Sequence, residues 1–287
     1  MSKLVFDLES NGFLPTLTKI HSLVCYDLDT DLITSGVNDS ALTIQLAKSG
    51  KYYGLSDCLK LLAEAEEIIG HNIIKFDIPV IQKLYPDFKP KKVFDTLIAS
   101  KLAFPDIADV DVIMERKGRY SIPAELKKKP HSLEAWGYRL GIYKGDFCKQ
   151  ENAFEEWTPE LQSYCEQDVR VTVALYKKLM NPAMDKRKLS QESLDIEFKF
   201  AEIISLQERR GVKFNTDKAI ALTGKLIKRK LELIPELKKY FKDKIKKEVF
   251  IPKKDNKIKG YVAGVPFIKK KRIPFNPNSR DMVRNSY

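Results

Sequence analysis

The sequence predicts an α/β protein, a mixed sheet with flanking helices that is followed by a helical segment. Three observations predict it. An apolar meander opens the chain, short apolar strands then alternate with helical periodicity to about residue 180, and two long helical patterns follow. A length of 287 residues suits one or two cores. A hydrophobic fraction of 43% with 31% charged residues is that of a soluble globular chain, and no run approaches the roughly 20 apolar residues that a bilayer-spanning helix needs. Met1-Ser2-Lys3 leads straight into Leu4-Val5-Phe6, the pattern of neither a signal nor a transit peptide, so the expected location is the cytoplasm.

Leu4–Leu8, Ile20–Leu28 and Leu32–Ser35 read as three strands, with turn signals at Asn11-Gly12 and Asp29-Thr30-Asp31. Ser56 caps a helix to about Glu64, and Ile68–Gly70 is a short strand. Asp77–Leu84 suits a helix, Lys92–Phe94 a strand and Thr96–Phe104 a helix. Pro105, Pro123, Pro130 and the basic run Lys127-Lys128-Lys129 predict an exposed loop over 105–130. Ser132 opens a helix that ends at Gly141. Thr158-Pro159-Glu160 supplies an N-cap, an N1 proline and an acidic first turn for a long helix reaching about Met180. A linker from Asn181-Pro182 to about Lys188 precedes helices over 190–210 and 216–247, expected as a helical hairpin. The Lys-, Pro- and Gly-rich stretch from Lys246 to Arg272 predicts a basic loop or partly disordered segment.

The net charge of +12 is unevenly placed: residues 1–185 carry −4 and residues 186–287 carry +16. An acidic segment can hold divalent cations and a basic one can neutralise phosphates, which suggests a catalytic module at 1–185 followed by a nucleic-acid grip at 186–287. The four cysteines, Cys25, Cys58, Cys148 and Cys165, form no C-x-x-C pair, and reduced thiols are expected. The three histidines are scattered and make no zinc site.

Three short patterns carry chemistry. Asp7-Leu8-Glu9 ends an apolar strand, where a period of two puts both carboxylates on one face and Leu8 on the other; two such carboxylates repel unless a hard cation lies between them. His71-Asn72 follows an apolar strand, and Asp77 stands where a helix begins. Tyr164 and Asp168, four apart on the long helix, share one face.

The ordered set Asp-x-Glu, Asn-x-x-x-x-Asp and Tyr-x-x-x-Asp resembles the three exonuclease motifs of DEDDy proofreading nucleases. Phe94-Asp95-Thr96-Leu97, His131 to Gly141, Gln207-Glu208-Arg209-x-Gly211, Tyr261-Val262-Ala263-Gly264-x-Pro266 and Phe275-Asn276-Pro277-x-Ser279-Arg280 extend the likeness along essentially the whole chain. The chain so resembles family A replicative DNA polymerases of podovirus-type bacteriophages. The resemblance implies a ribonuclease-H-like exonuclease domain at 1–185 and, at 186–287, a partial polymerase domain with thumb-like helices. It implies a 3′→5′ DNA exonuclease that releases nucleoside 5′-monophosphates, in the host cytoplasm.

By the same resemblance, Asp7, Glu9, Asp77 and Asp168 would hold two divalent cations, Mg2+ or Mn2+, flanking the scissile phosphate. Tyr164 would orient the attacking water, since an ordinary phenol is too weak a base to deprotonate it. Leu8 and Phe13 would wedge against terminal bases, Asn72 would bond near the cations, and Arg280 and the Lys-rich stretch would grip duplex phosphates. The polymerase motifs of such enzymes are absent from this sequence, so the resemblance implies the exonuclease portion of a split or truncated phage replicative polymerase, and the split form would have a separate polymerase polypeptide as partner. Asp243 to Pro274 is short for the insertion that docks a processivity factor in phage relatives, and thioredoxin-type docking is not expected. Two other readings remain: a silent nuclease that docks a polymerase chain, and a free-standing RNA 3′-trimming exonuclease.

Overall fold

The meander forms as the apolar patterning predicts. In the computed structural model, which describes residues 2–38, 52–143, 152–181, 187, 189–241 and 243–284, β1 (Lys3–Ser10) pairs antiparallel with β2 (Ile20–Asp27), and β2 with β3 (Ile33–Val37). A two-residue strand, β4 (Tyr53–Gly54), joins β3 in parallel. On the other side of β1 lie β5 (Glu67–Gly70) and β6 (Val93–Asp95), both parallel to it. The six-stranded order is β4-β3-β2-β1-β5-β6, so the oldest expectation from the sequence, a mixed sheet, is met with β1 at its centre.

Alternation along β1 divides the core. Leu4, Phe6 and Leu8 pack with Cys58 and Leu62 of α1 (Leu55–Glu64) and with Val80 and Ile81 of α2 (Asp77–Leu84). Val5, on the opposite face, packs with Ala99 of α3 (Thr96–Ala103), Trp136 of α5 (Leu133–Leu140), Cys165 and Val169 of α6 (Pro159–Leu179), and Leu194 and Phe198 of α7 (Gln191–Arg210). Continuing the alternation puts Asp7 and Glu9 on the α6 side. The caps predicted for α5 and α6 form: Ser132 Oγ accepts from Ala135 N, and Thr158 Oγ1 from Leu161 N ahead of Pro159. Gly141 closes α5 at φ 70°, in the left-handed region that a side chain disfavours.

Three local expectations are corrected. Ser56 is not the cap of α1; the helix starts at Leu55, whose buried side chain fixes the start by packing. Residues 105–130 are not simply a loop. Helix α4 (Ile107–Arg116) forms within them, because Ile107 and Asp111 give it a buried face that the flanking prolines concealed in the sequence. The basic segment after residue 243 is a β-hairpin: α8 (Thr216–Tyr240) stops before it, and β7 (Lys244–Phe250) pairs antiparallel with β8 (Phe267–Ile273). Its base is fixed by Asp243, which takes bonds from Arg272 and the Phe275 backbone, and by stacking of Phe241 on Phe275. A final short helix, α9 (Arg280–Arg284), follows.

The chain divides into two compact units, Met1–Gly211 and Val212–Tyr287. Helix α7 belongs to the first, where Leu194 and Phe198 enter the core, and α8 to the second. Most of the predicted linker and Cys148 lie outside the described residues. Cys25, Cys58 and Cys165 are free and buried. No described helix is long and apolar enough to cross a membrane.

A buried ion pair docks α4 on α5. Asp111 accepts from Arg139 Nε at 2.8 Å, from Arg139 Nη2 at 2.7 Å and from the Tyr120 hydroxyl at 3.0 Å. Arg139 also donates to the Pro130 carbonyl and lies over the Trp136 ring. Removing one partner strands the other charge in the interior, so Asp111→Ala is expected to lower stability by about 3–5 kcal/mol, read by denaturant unfolding. A loss under about 1 kcal/mol would mean that α4 contributes little to the fold.

Candidate metal-binding active site

β1 carries the first two acids past the end of its partner β5. Pairing with β5 stops at Val5↔Ile69, while pairing with β2 continues through Asp7↔Val24 and Glu9↔Ser22 to a bulge between Glu9 and Ser10. The half-buried Asp7 and Glu9 side chains therefore project where the sheet has thinned. Leu8 points the other way and is 4% exposed within the α1 and α2 core. The structure thus places it under the site, with almost no surface to offer a base.

α6 crosses β1 on the Asp7 face because its apolar stripe, Cys165, Val169 and Val173, packs there. Tyr164 and Asp168 come with it, Asp168 buried and Tyr164 half-buried with its ring edge-on to Phe154. The Cys165 thiol donates toward the Asp7 carbonyl at 3.4 Å and lies 3.9 Å from Asp7 Oδ2. Burial first, and then the charges of Asp7, Glu9, Asp168 and Asp77, push this thiol up. Donor atoms of Asp7, Glu9 and Cys165 lie within 4.8 Å of one another.

Asp77 arrives by a different route. After β5, Asn72 turns the chain at φ 68°, and the buried Asp95 carboxylate accepts from the backbone N–H of Asn72 at 3.0 Å and of Ile74 at 3.1 Å. The same carboxylate caps α3 through Leu97 and Ile98. One buried acid thereby ties the 72–76 turn to the start of α3, and α2 then begins on Asp77, whose carboxylate takes the Leu8 N–H of β1. Asn72 contributes its backbone to this turn. His71, His131 and His21 bond to Thr96, Ser100 and the Phe154 carbonyl, the structural use expected of scattered histidines.

Beside Glu9 opens a cavity of about 400 Å³, lined by Phe13, Phe76, Phe154 and the backbone of 10–12. Phe13 is 79% exposed there. Phe76 and Phe154 escape sequence reading because they fall in turns without periodicity. Cys165 escapes it too, although it stands three residues before Asp168 on the same helix face. Arg280 is exposed at the first residue of α9, in the second unit.

The donor chemistry fits hard divalent cations: carboxylate oxygens from β1, α2 and α6, partly dehydrated, with like charges that a cation would relieve. Asp77 shows the cost of dehydration. Burial first, and the neighbouring Asp95 charge in addition, push its carboxyl up to about 7, against the N–H bonds it accepts.

No protein-family profile matches the chain. It is 28% identical to the DNA-directed DNA polymerase of Escherichia phage T7 over 361 aligned positions, covering 98% of the chain and 49% of the relative. The enzyme of Enterobacteria phage T3 matches at 28% over 358 positions with the same coverage. The chain spans about half the length of these relatives, and the alignments are longer than the chain, so the relatives carry internal segments that it lacks. Among solved structures, Brucella melitensis NrnC overlays on 73% of this chain and 86% of its own, with a TM-score of 0.44 and 17% identity. Escherichia coli exonuclease I in complex with a dA16 oligonucleotide covers 64% of this chain and 42% of its own, with a TM-score of 0.33 and 15% identity.

The Asp77 shift sets a pH dependence. Its folded value lies above the ordinary 3.8, so between about pH 4 and about 7 the folded state holds more protons than the unfolded chain, and stability falls as pH rises through that window. Asp95, also raised by burial, adds to the same trend. Melting in EDTA is expected to follow this fall, and Asp77→Asn is expected to flatten it. An unchanged slope in that variant would assign the pH dependence elsewhere.

Proposed function

We propose that the chain is a metal-dependent 3′→5′ exonuclease acting on DNA, the nuclease portion of a phage-type family A DNA polymerase. The donor cluster of Asp7 and Glu9 with Cys165 at the end of β1, with Asp168 and Asp77 near enough for their charges to act on that thiol, supports this reading, together with the alignment to phage polymerases along 98% of the chain. In this assignment residues 1–185 form the exonuclease domain, and residues 186–287 are a partial polymerase segment that binds primer-template duplex and meets a separate polymerase chain.

Two divalent cations, Mg2+ or Mn2+, supply when bound the charge that lowers the pKa of water and stabilises the oxygens of an in-line phosphoryl displacement. Asp7, Glu9 and Asp168 would hold one and Asp7 with Asp77 the other. Tyr164 hydrogen-bonds the attacking water and sets its line to phosphorus. It acts by orientation, because an ordinary phenol stays protonated near neutral pH. Phe13, Phe76 and Phe154 bound a cavity wide enough for a nucleobase beside Glu9, and base stacking there accepts any terminal nucleotide. Phe13, exposed at the rim, takes the wedging role. Asn72 shapes the turn next to Asp77, and Arg280 with the lysines of β7 and β8 contacts duplex phosphates without reading sequence.

The direct test is release of mononucleotides from 3′-labelled single-stranded DNA in Mg2+. Asp7→Ala is expected to abolish it, and EDTA to do the same to the unaltered protein. Release that survives Asp7→Ala would sink the assignment, and RNA outcompeting DNA would redirect it to RNA trimming. Tyr164→Phe is expected to lower kcat on the order of 100-fold with a small change in KM. Phe13→Ala or Phe154→Ala is expected to weaken single-strand binding by about 1–3 kcal/mol, seen mainly in KM.

A further inference from the structure

We propose that Cys165 is a sulfur donor at the carboxylate site and makes it a trap for thiophilic divalent cations, Zn2+ and Cd2+, in competition with the hard cation that supports nuclease turnover. The proposal rests on the reading that Asp7 and Glu9 hold a cation.

The geometry is that of a convergent donor set. Sulfur and the two carboxylate oxygens lie within 4.8 Å of one another, and Cys165 Sγ is 3.9 Å from Asp7 Oδ2. A tetrahedral zinc has bonds of about 2.3 Å to sulfur and about 2.0–2.2 Å to oxygen, so two of its donors stand roughly 3.5 Å apart. The Cys165–Asp7 pair closes to that with a shift of a few tenths of an ångström, and the widest spacing in the set with a shift of at most about 1.3 Å, within reach of side-chain rotation. The thiol is fully buried between α6 and β1, and its bond to the Asp7 carbonyl aims the sulfur at the acids.

Ligand softness gives the selectivity. Mg2+ takes oxygen donors in near-octahedral geometry and gains nothing from sulfur, whereas zinc and cadmium favour it. Capture breaks the S–H bond and forms a metal–sulfur bond, the proton passing to buffer; no electron is transferred. An exonuclease site built only from oxygen donors lacks this bond to sulfur. Cys25 and Cys58 provide an internal contrast, being buried among α1 and β2 side chains on the other face of the sheet.

The experiment is a titration of the full-length protein with CdCl2, and separately ZnCl2, in the presence of Mg2+. It follows the near-ultraviolet sulfur-to-cadmium charge-transfer band and the zinc concentration that halves mononucleotide release. The unaltered protein is expected to develop the band with one equivalent of cadmium. Cys165→Ser is expected to lose it and to need on the order of 10-fold more zinc for half-inhibition, relative to its own rate in Mg2+. Asp7→Asn is expected to weaken the band. Cys165→Ala, checked for folding by melting, repeats the measurement if the serine variant does not fold. A band of equal amplitude in the Cys165 variants, or one indifferent to Asp7→Asn, would overturn the proposal. Because the band is read without turnover, an absence of Mg2+-dependent release in every protein would sink the nuclease reading while leaving this one to its own test.

Discussion

Carboxylates crowded at one end of β1 repel each other, and the rest of the first unit is arranged to hold them together. Repulsion at short range in a partly dehydrated site is costly; Asp77 itself resists ionising chiefly because it is buried, with the Asp95 charge adding to that. The opposing forces come from packing. α6 is pinned across β1 by Cys165, Val169 and Val173, and that docking fixes where Tyr164 and Asp168 sit. The cost stays local while a separate apolar core, on the other face of the sheet, supports β1 from beneath through Leu4, Phe6 and Leu8.

Backbone amides do the finer positioning. Asp95 accepts four of them, two from the turn after β5 and two from the start of α3, so a single buried side chain sets the distance between the Asp77 turn and the sheet. Gly70 allows this turn to close: a Cβ there would stand 2.2 Å from Ile73 Cγ2 and 3.0 Å from the Phe6 carbonyl. The turn, the strand end and the helix are thus coupled, and Asp77 reaches the Leu8 amide because all three are fixed.

The second unit follows a different physical logic. α8 has no buried residue, and β7 and β8 expose most of their side chains, with Lys246 opposite Lys271 and Lys247 opposite Lys270. Like charges directly across a strand pair oppose pairing, and the hairpin holds against them by backbone bonding, by the Asp243 anchor and by an aromatic group of Phe250, Tyr261 and Phe267. Periodicity could not reveal it, because runs of lysine mask the face that Ile245, Val249 and Ile268 share. In α4 the concealment was of another kind: its buried face includes the charged Asp111, which is buried only because Arg139 meets it from twenty-eight residues away.

The sequence by itself determined the meander, the alternation of strands and helices, the capped starts of α5 and α6, and the face of β1 on which Asp7 and Glu9 stand, because each follows from spacing along a single element. Tyr164 with Asp168 was legible for the same reason. Only the tertiary structure decided that α6 brings Cys165 against Asp7 and Glu9, that Leu8 lies beneath them and that Phe13 lines the cavity beside Glu9. Those facts depend on which helix docks on which strand, a matter of packing between residues more than a hundred positions apart, and no local pattern records it.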